Sequence, residues 1–229
     1  MIVAISQPTL YPWIGYFDII NKSDAFVFLN DVQLNRRSWQ TRNRIRNPNS
    51  EKDPEVWLNI PVIKSGLQTL IKDARIDNSK EWKRKHIGSL NACYGQNFRN
   101  MNWLHDLYSK KWELLAEFNI KFIKRCCDFL CIKTPFYLSS ELCLEGTRTN
   151  NLVNICKHLH ADVYLTTAGA KENYLDHDQY IFDDANIEVK YHNYVHPEYK
   201  QHGLSFIPYL SVLDLILNLG DDAKKFFTL

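Results

Sequence analysis

The first 46 residues constrain the fold more than any other part of the chain. A short apolar run, Ile2 to Ile5, breaks at Gln7-Pro8, and apolar residues resume after Pro12 at helical spacing, at Trp13, Ile14, Phe17, Ile19 and Ile20. A second apolar run, Ala25 to Leu29, stops at Asn30-Asp31. Period and punctuation together predict strand, loop, helix, strand. Beyond Asn30 the chain turns basic and aromatic, with Arg36, Arg37, Trp39, Arg42, Arg44 and Arg46 and no acid between Val32 and Ser50. In an open parallel sheet, ligands sit outside the carboxyl ends of the strands. Gln7 to Tyr16 and Asn30 to Arg46 are therefore expected to face one crevice.

Alternation of helix and strand continues downstream. Val56 to Val62 reads as a half-buried strand, Leu70 to Ile76 as another, and Asn78-Ser79 as the cap of a helix from about Glu81 to Asn91. Trp103 to Phe118 and Ile120 to Leu130 carry helical periodicity, so 101–133 is expected to be a helical insertion. Phe136 to Leu138, Val163 to Leu165 and Ile187 to Tyr191 read as strands, and Thr149 to His160 and Val212 to Leu219 as helices. The expected fold is a single α/β domain over 1–229, Rossmann-like, with a mostly parallel sheet.

Composition narrows the class. A chain of 229 residues with 45% hydrophobic and 24% charged residues is ordinary for a globular protein. No stretch has the length of a membrane span and the start lacks a signal-peptide pattern, so a cytoplasmic protein without membrane insertion is expected. The net charge of +2 is too small to declare a nucleic-acid protein, yet it is unevenly spread. A second basic patch, Lys80 to His86, lies on the helix predicted after Ser79. The six cysteines lack zinc or disulfide-scaffold spacing; reduced thiols, and no metal, are expected.

Several motifs carry a resemblance over essentially the full length. Ile5-Ser6-Gln7-Pro8-Thr9 with Pro12 to Asp18, Asp31-Val32-Gln33, and Arg37-Ser38-Trp39-Gln40 with Arg42-Asn43-Arg44 form the opening. Trp82, Lys85-His86 and Tyr94, then Asp162 to Leu165 with Ala168-Gly169-Ala170-Lys171 and Tyr174-Leu175, form the middle. His196-Pro197, Tyr199, Gln201, Phe206-Ile207-Pro208 and Asp214-Leu215 form the end. Together they resemble the WbqC-like family. The resemblance implies surface-polysaccharide biosynthesis, such as that of the O-antigen of lipopolysaccharide. The implied activity is N-acylation, including aminoacylation, of a nucleotide-linked amino sugar such as a dTDP-linked 4-amino-4,6-dideoxyhexose. No tightly bound cofactor is expected, only an acyl donor, aminoacyl-tRNA or acyl-CoA, as co-substrate; tRNA is then a partner. The opening is also similar to the fold of nucleotidylyltransferases that use a His-x-x-His motif, but Trp13 and Tyr16 stand where those histidines would be.

Amide formation needs a base for the attacking amine and donors for the oxyanion. His196, held before Pro197 and flanked by Tyr194, Tyr199 and Gln201, is the first candidate base, against the alternative of a structural loop histidine. His86 is the second, against a solvated helix position. Asp31, at a strand end, either orients a histidine or sugar ammonium or caps a turn. Asp214, in an apolar helix, is expected in a structural ion pair. Arg36, Arg37, Arg42 and Arg44 are candidates for the pyrophosphate, Trp13, Tyr16 or Trp39 for stacking on the base, and Lys171 for a further phosphate contact. Gln7, Gln40, Asn43, Tyr94, Tyr199 and Gln201 complete the expected substrate-binding set. The rival functions are an ATP-dependent, nucleotidylyltransferase-like activating enzyme and a non-catalytic RNA-binding or assembly protein that uses the two basic patches.

Overall fold

Five parallel strands form the frame, and their composition says why they are central. In the computed structural model β1 (Ile2–Ser6) and β2 (Ala25–Phe28) are apolar runs without alternation, as strands covered on both faces must be. With β5 (Phe136–Leu138), β6 (Val163–Thr167) and β7 (Glu188–His192) they make a sheet in the order β5-β2-β1-β6-β7, every pair parallel. The fold is thus α/β with the expected parallel sheet. Helix α1 (Ile14–Asn21) connects β1 to β2, while β6 lies on β1's other side, so the strand order reverses beside β1. The structure describes residues 1–229 except 36, 65, 67, 168, 170–175 and 229, and leaves out the side chains of 176 and 177.

The chain divides into two compact units. The first, Met1–Gln7, Gly15–Asp31 and Ile132–Val195, holds the parallel sheet. Its core joins Val3, Ile5, Val27 and Tyr164 to Leu152, Ile155 and Cys156 of a helix over Thr149–His158.

The second unit, Pro8–Ile14, Val32–Cys131 and His196–Leu229, contains the basic, aromatic stretch beyond Asn30, for which the sequence shows no strand pattern. Part of that stretch is a strand. β3 (Arg42–Arg46) pairs antiparallel with β4 (Glu55–Asn59) in a separate two-stranded sheet, Arg44 opposite Trp57. The expected strand Leu70 to Ile76 is instead a 3-10 turn at Ile71–Asp73 between isolated bridges Gln33↔Leu70 and Val62↔Ile76. Helix α2 (Trp82–Tyr94) forms as predicted, but the helical stretch expected over Trp103 to Phe118 is broken: α4 (Asn102–Ser109) and α5 (Leu115–Phe129) follow the short α3 (Gln96–Arg99). The break falls where Leu114 is drawn into a bridge with Arg75, a tertiary pairing that overrides local periodicity. A last apolar helix, Val212–Leu219, is capped by the Ser211 hydroxyl, which accepts from the Leu213 N–H at 3.2 Å.

Candidate functional site

In the first unit the carboxyl end of edge strand β7 carries a histidine–carboxylate pair. His192, the last residue of β7, is 8% exposed, and its Nε2–H donates to Asp18 Oδ2 at 2.5 Å. Asp18 lies on α1, and one turn later Lys22 reaches the same oxygen at 2.7 Å. Burial alone would raise the Asp18 carboxyl, but the hydrogen bonds from His192 and Lys22 outweigh it and hold the group below its usual value. With Nε2–H committed to the Asp18 carboxylate, the tautomer that this contact selects has its lone pair on Nδ1. Tyr194 has its ring 5.6 Å from His192, and burial together with the Asp18 charge pushes its phenol up, so it stays protonated. A fixed imidazole tautomer beside an ionised carboxylate is the arrangement of a general base.

Asp18 and His192 are not among the candidates the sequence suggests, though His192 directly follows the strand predicted over Ile187 to Tyr191 and Asp18–Lys22 has helical i,i+4 spacing. The strand-end rule that singled out Asp31 applied equally to His192. Asp31 itself is engaged by the turn: Ser139 Oγ donates to its Oδ1 at 2.5 Å while Asn30 N–H donates to Ser139 Oγ at 3.1 Å. Tyr16 donates to the Gln7 carbonyl at 3.0 Å, which ties the end of β1 to α1.

The second unit gathers the carboxyl-terminal motif around Asp214, which is fully buried. Tyr94 OH, Tyr199 OH and Gln201 Nε2 donate to its carboxylate at 2.6, 2.7 and 2.8 Å, and the Arg46 backbone N–H adds a fourth donor. Burial raises this carboxyl and the four donors offset part of the rise. The expected ion pair is therefore corrected: the partners are neutral donors. Tyr94, Tyr199 and Gln201, expected to bind substrate, direct these groups into the network.

His196 sits beside the Asp214 network. Its Nδ1–H donates to the Pro197 carbonyl at 2.9 Å, Trp13 stacks on it at 11° with centroids 6.3 Å apart, and Tyr209 meets its edge at 5.0 Å. Burial lowers its pKa, against the opposing pull of the Pro197 carbonyl and the Asp214 charge.

His86, the other expected base, is neither solvated nor poised to take a proton. It is 2% exposed, its Nε2–H donates to the Asn59 carbonyl at 3.1 Å, and its Nδ1 accepts from Tyr11 OH at 3.0 Å. Tyr108 OH stands 2.6 Å from Tyr11 OH and completes the chain. Burial pushes His86 down to about 4, so it stays neutral with both ring nitrogens engaged.

The arginines divide. Arg46 is wholly buried, donating to Glu51 at 2.9 Å and the Pro54 carbonyl at 3.1 Å, and Arg44 is held by Glu55 at 2.8 Å. Arg37 and Arg42 are exposed. Gln40 and Asn43 are buried braces: Gln40 Oε1 accepts from Asn35 N–H at 2.8 Å, and Asn43 Nδ2 donates to the Leu10 and Tyr11 carbonyls at 3.1 and 2.8 Å. Trp39 is half exposed. Arg36 and Lys171 lie outside the described residues.

Among the described residues no three His, Cys, Asp or Glu side chains stand together as a metal site. Burial pushes Cys93 up to about 11 and Cys156 up to about 12, so neither is a thiolate nucleophile near neutrality. Among the described residues no helix is long and apolar enough to cross a membrane.

Comparison with known proteins gives the same result as the motifs. A family model described as the WbqC-like protein family matches residues 7–226. The uncharacterized protein Rv1507c of Mycobacterium tuberculosis is 30% identical over 230 residues, which covers 98% of this chain and 96% of that protein. No solved structure matches.

Proposed function

The chain belongs to the WbqC-like protein family, and on that premise we propose that it is an N-acyltransferase, in particular an aminoacyltransferase. Its acceptor is the amine of a dTDP-type nucleotide-linked amino-deoxy sugar destined for a surface polysaccharide, and its donor is an aminoacyl-tRNA or an acyl-CoA. The observation that carries this reading is the Asp18–His192 pair at the carboxyl end of β7. The sugar ammonium first gives one proton to water to become the nucleophilic amine; as the amine adds to the carbonyl carbon its nitrogen sheds a second proton, and His192 Nδ1 accepts that one. The resulting imidazolium is stabilised by Asp18, whose carboxylate His192 and Lys22 keep ionised. Collapse of the tetrahedral intermediate forms the amide and expels the donor's alkoxide or thiolate, which recovers the proton from His192. Tyr194, kept as a neutral phenol, is suited to donate to the oxyanion.

The test is mass spectrometry of a purified-enzyme reaction with a nucleotide-linked 4-amino-4,6-dideoxy sugar, offering charged tRNA in one tube and acyl-CoA in another. A mass gain equal to the acyl or aminoacyl group supports the reading and names the donor. No gain in either tube across several amino-sugar isomers removes it.

A further inference from the structure

Folding leaves an aromatic surface unburied where the turn before β3 meets β4. Trp39 is 51% and Trp57 47% exposed. Their rings stack at 21° with centroids 6.0 Å apart, and the Arg42 guanidinium lies 4.8 Å from the Trp57 centroid. Alternate residues of a strand share a face, which puts Trp57 and Asn59 together on β4. From Trp57 the surface continues into a depression of about 410 Å³, walled on one side by α2 residues at i, i+3, i+4 and i+7. Asn59, Lys80, Lys85 and Ser89 supply its polar groups, and among the described residues no acidic side chain lines it. Lys85 is exposed, and Arg37 adds a further exposed cation near Trp39 in the chain.

Contiguous exposed indoles with cations at their border call for an occupant, since apolar surface of this kind gains nothing by facing water. The occupant's chemistry follows from the surface. Two flat rings offer stacking to planar groups, a guanidinium over one of them adds a cation–π contact, and amide, hydroxyl and ammonium groups suit base edges and phosphates. An open platform cannot enclose most of a small molecule, as small-ligand sites do, but it suits a strand that passes over it. Hydrogen-bonding groups in the depression fit a base better than a lipid tail.

We propose that this surface binds single-stranded RNA, with unpaired bases stacked on Trp39 and Trp57 and phosphates running toward Lys80 and Lys85. For its purpose the proposal rests on the acyl-transfer reading: an unpaired RNA 3′ end is the carrier of an aminoacyl group. Binding itself is read without turnover. Bound RNA with no acylated sugar therefore leaves the platform standing and removes the acyl-transfer reading, while acylation from acyl-CoA without RNA binding does the reverse.

The experiment is fluorescence anisotropy with a short labelled oligoribonucleotide of mixed sequence, its duplex form, and coenzyme A as a competitor, alongside flotation with anionic phospholipid vesicles. The wild-type chain is expected to bind the single strand over the duplex. Trp39→Ala and Trp57→Ala should each weaken that binding roughly 5- to 150-fold, the range that loss of one stacked base gives. Lys80→Gln and Lys85→Gln should each flatten the log–log salt dependence by about 0.7, the single-strand value for one phosphate contact. All four side chains are exposed, so unchanged thermal melting will separate a binding defect from misfolding. The proposal is overturned if the single strand does not bind, if Trp57→Ala binds it unchanged, or if the same variants lose only coenzyme A or only vesicles.

Discussion

Removing the Tyr94 hydroxyl is the sharpest probe of the buried Asp214 network. Tyr94 is 4% exposed and donates at 2.6 Å to a carboxylate that is itself fully buried. A hydrogen bond to a charged group is worth about 1.5–3 kcal/mol, against about 0.5–1.5 for a neutral pair. Tyr94→Phe is therefore expected to cost about 2 kcal/mol, read as a Tm drop of roughly 4–8 °C for a chain of this size. Tyr108→Phe is the matched control, because its hydroxyl meets the neutral Tyr11 hydroxyl at the same 2.6 Å and should cost about half as much. The pH dependence follows from the raised Asp214 carboxyl. A raised folded-state pKa means stability present at low pH and lost as pH rises through the folded value. Tyr94 is one of the groups that lower it, so Tyr94→Phe raises it further, and the variant's deficit grows as pH rises toward neutrality. Calorimetry across that range checks both points. Equal deficits for the two variants, or a Tyr94→Phe deficit that does not change with pH, would refute the reasoning.

Other expectations test other parts of the structure. Asp18, held below its usual value of 3.8 by His192 and Lys22 despite burial, contributes stability above that value that is lost as pH falls through the lowered one; Asp18→Asn should flatten the acid limb of a denaturant-midpoint curve. Brief iodoacetamide treatment of the native protein should label the exposed Cys131 and Cys143 and spare the buried Cys126, Cys127 and Cys156, as peptide mass mapping would report. Gly203 has φ +120°, and a Cβ there would collide with the Arg46 guanidinium, so Gly203→Ala should cost about 1–3 kcal/mol in a denaturant titration.

The sequence was most legible where short-range apolar pattern decides structure. β1, α1 and β2, the strand Phe136–Leu138 and the helix Val212–Leu219 all follow from local runs and punctuation. β3 was hidden because Arg-Asn-Arg-Ile-Arg reads as a solvated loop. Nothing in that string says that Arg46 is buried with its charge met by Glu51 or that Asn43 spends its amide on the Leu10 and Tyr11 carbonyls. The site contacts are longer in range still. His192 meets Asp18 across 174 positions and Tyr94 meets Asp214 across 120, so only the fold reveals which donor answers which carboxylate. His86 shows the opposite error: a basic stretch suggested a solvated helix face, while its own position turns inward against Tyr11 and Asn59.

The most direct measurement is the rate of acyl-sugar formation, followed by mass spectrometry, for wild-type protein and His192→Gln side by side with the donor that supports turnover. General-base catalysis contributes about 10²–10⁴-fold, so kcat should fall by that factor with little change in KM. A His192→Gln protein that acylates the amino sugar at the wild-type rate would contradict the assignment of the Asp18–His192 pair as the catalytic base.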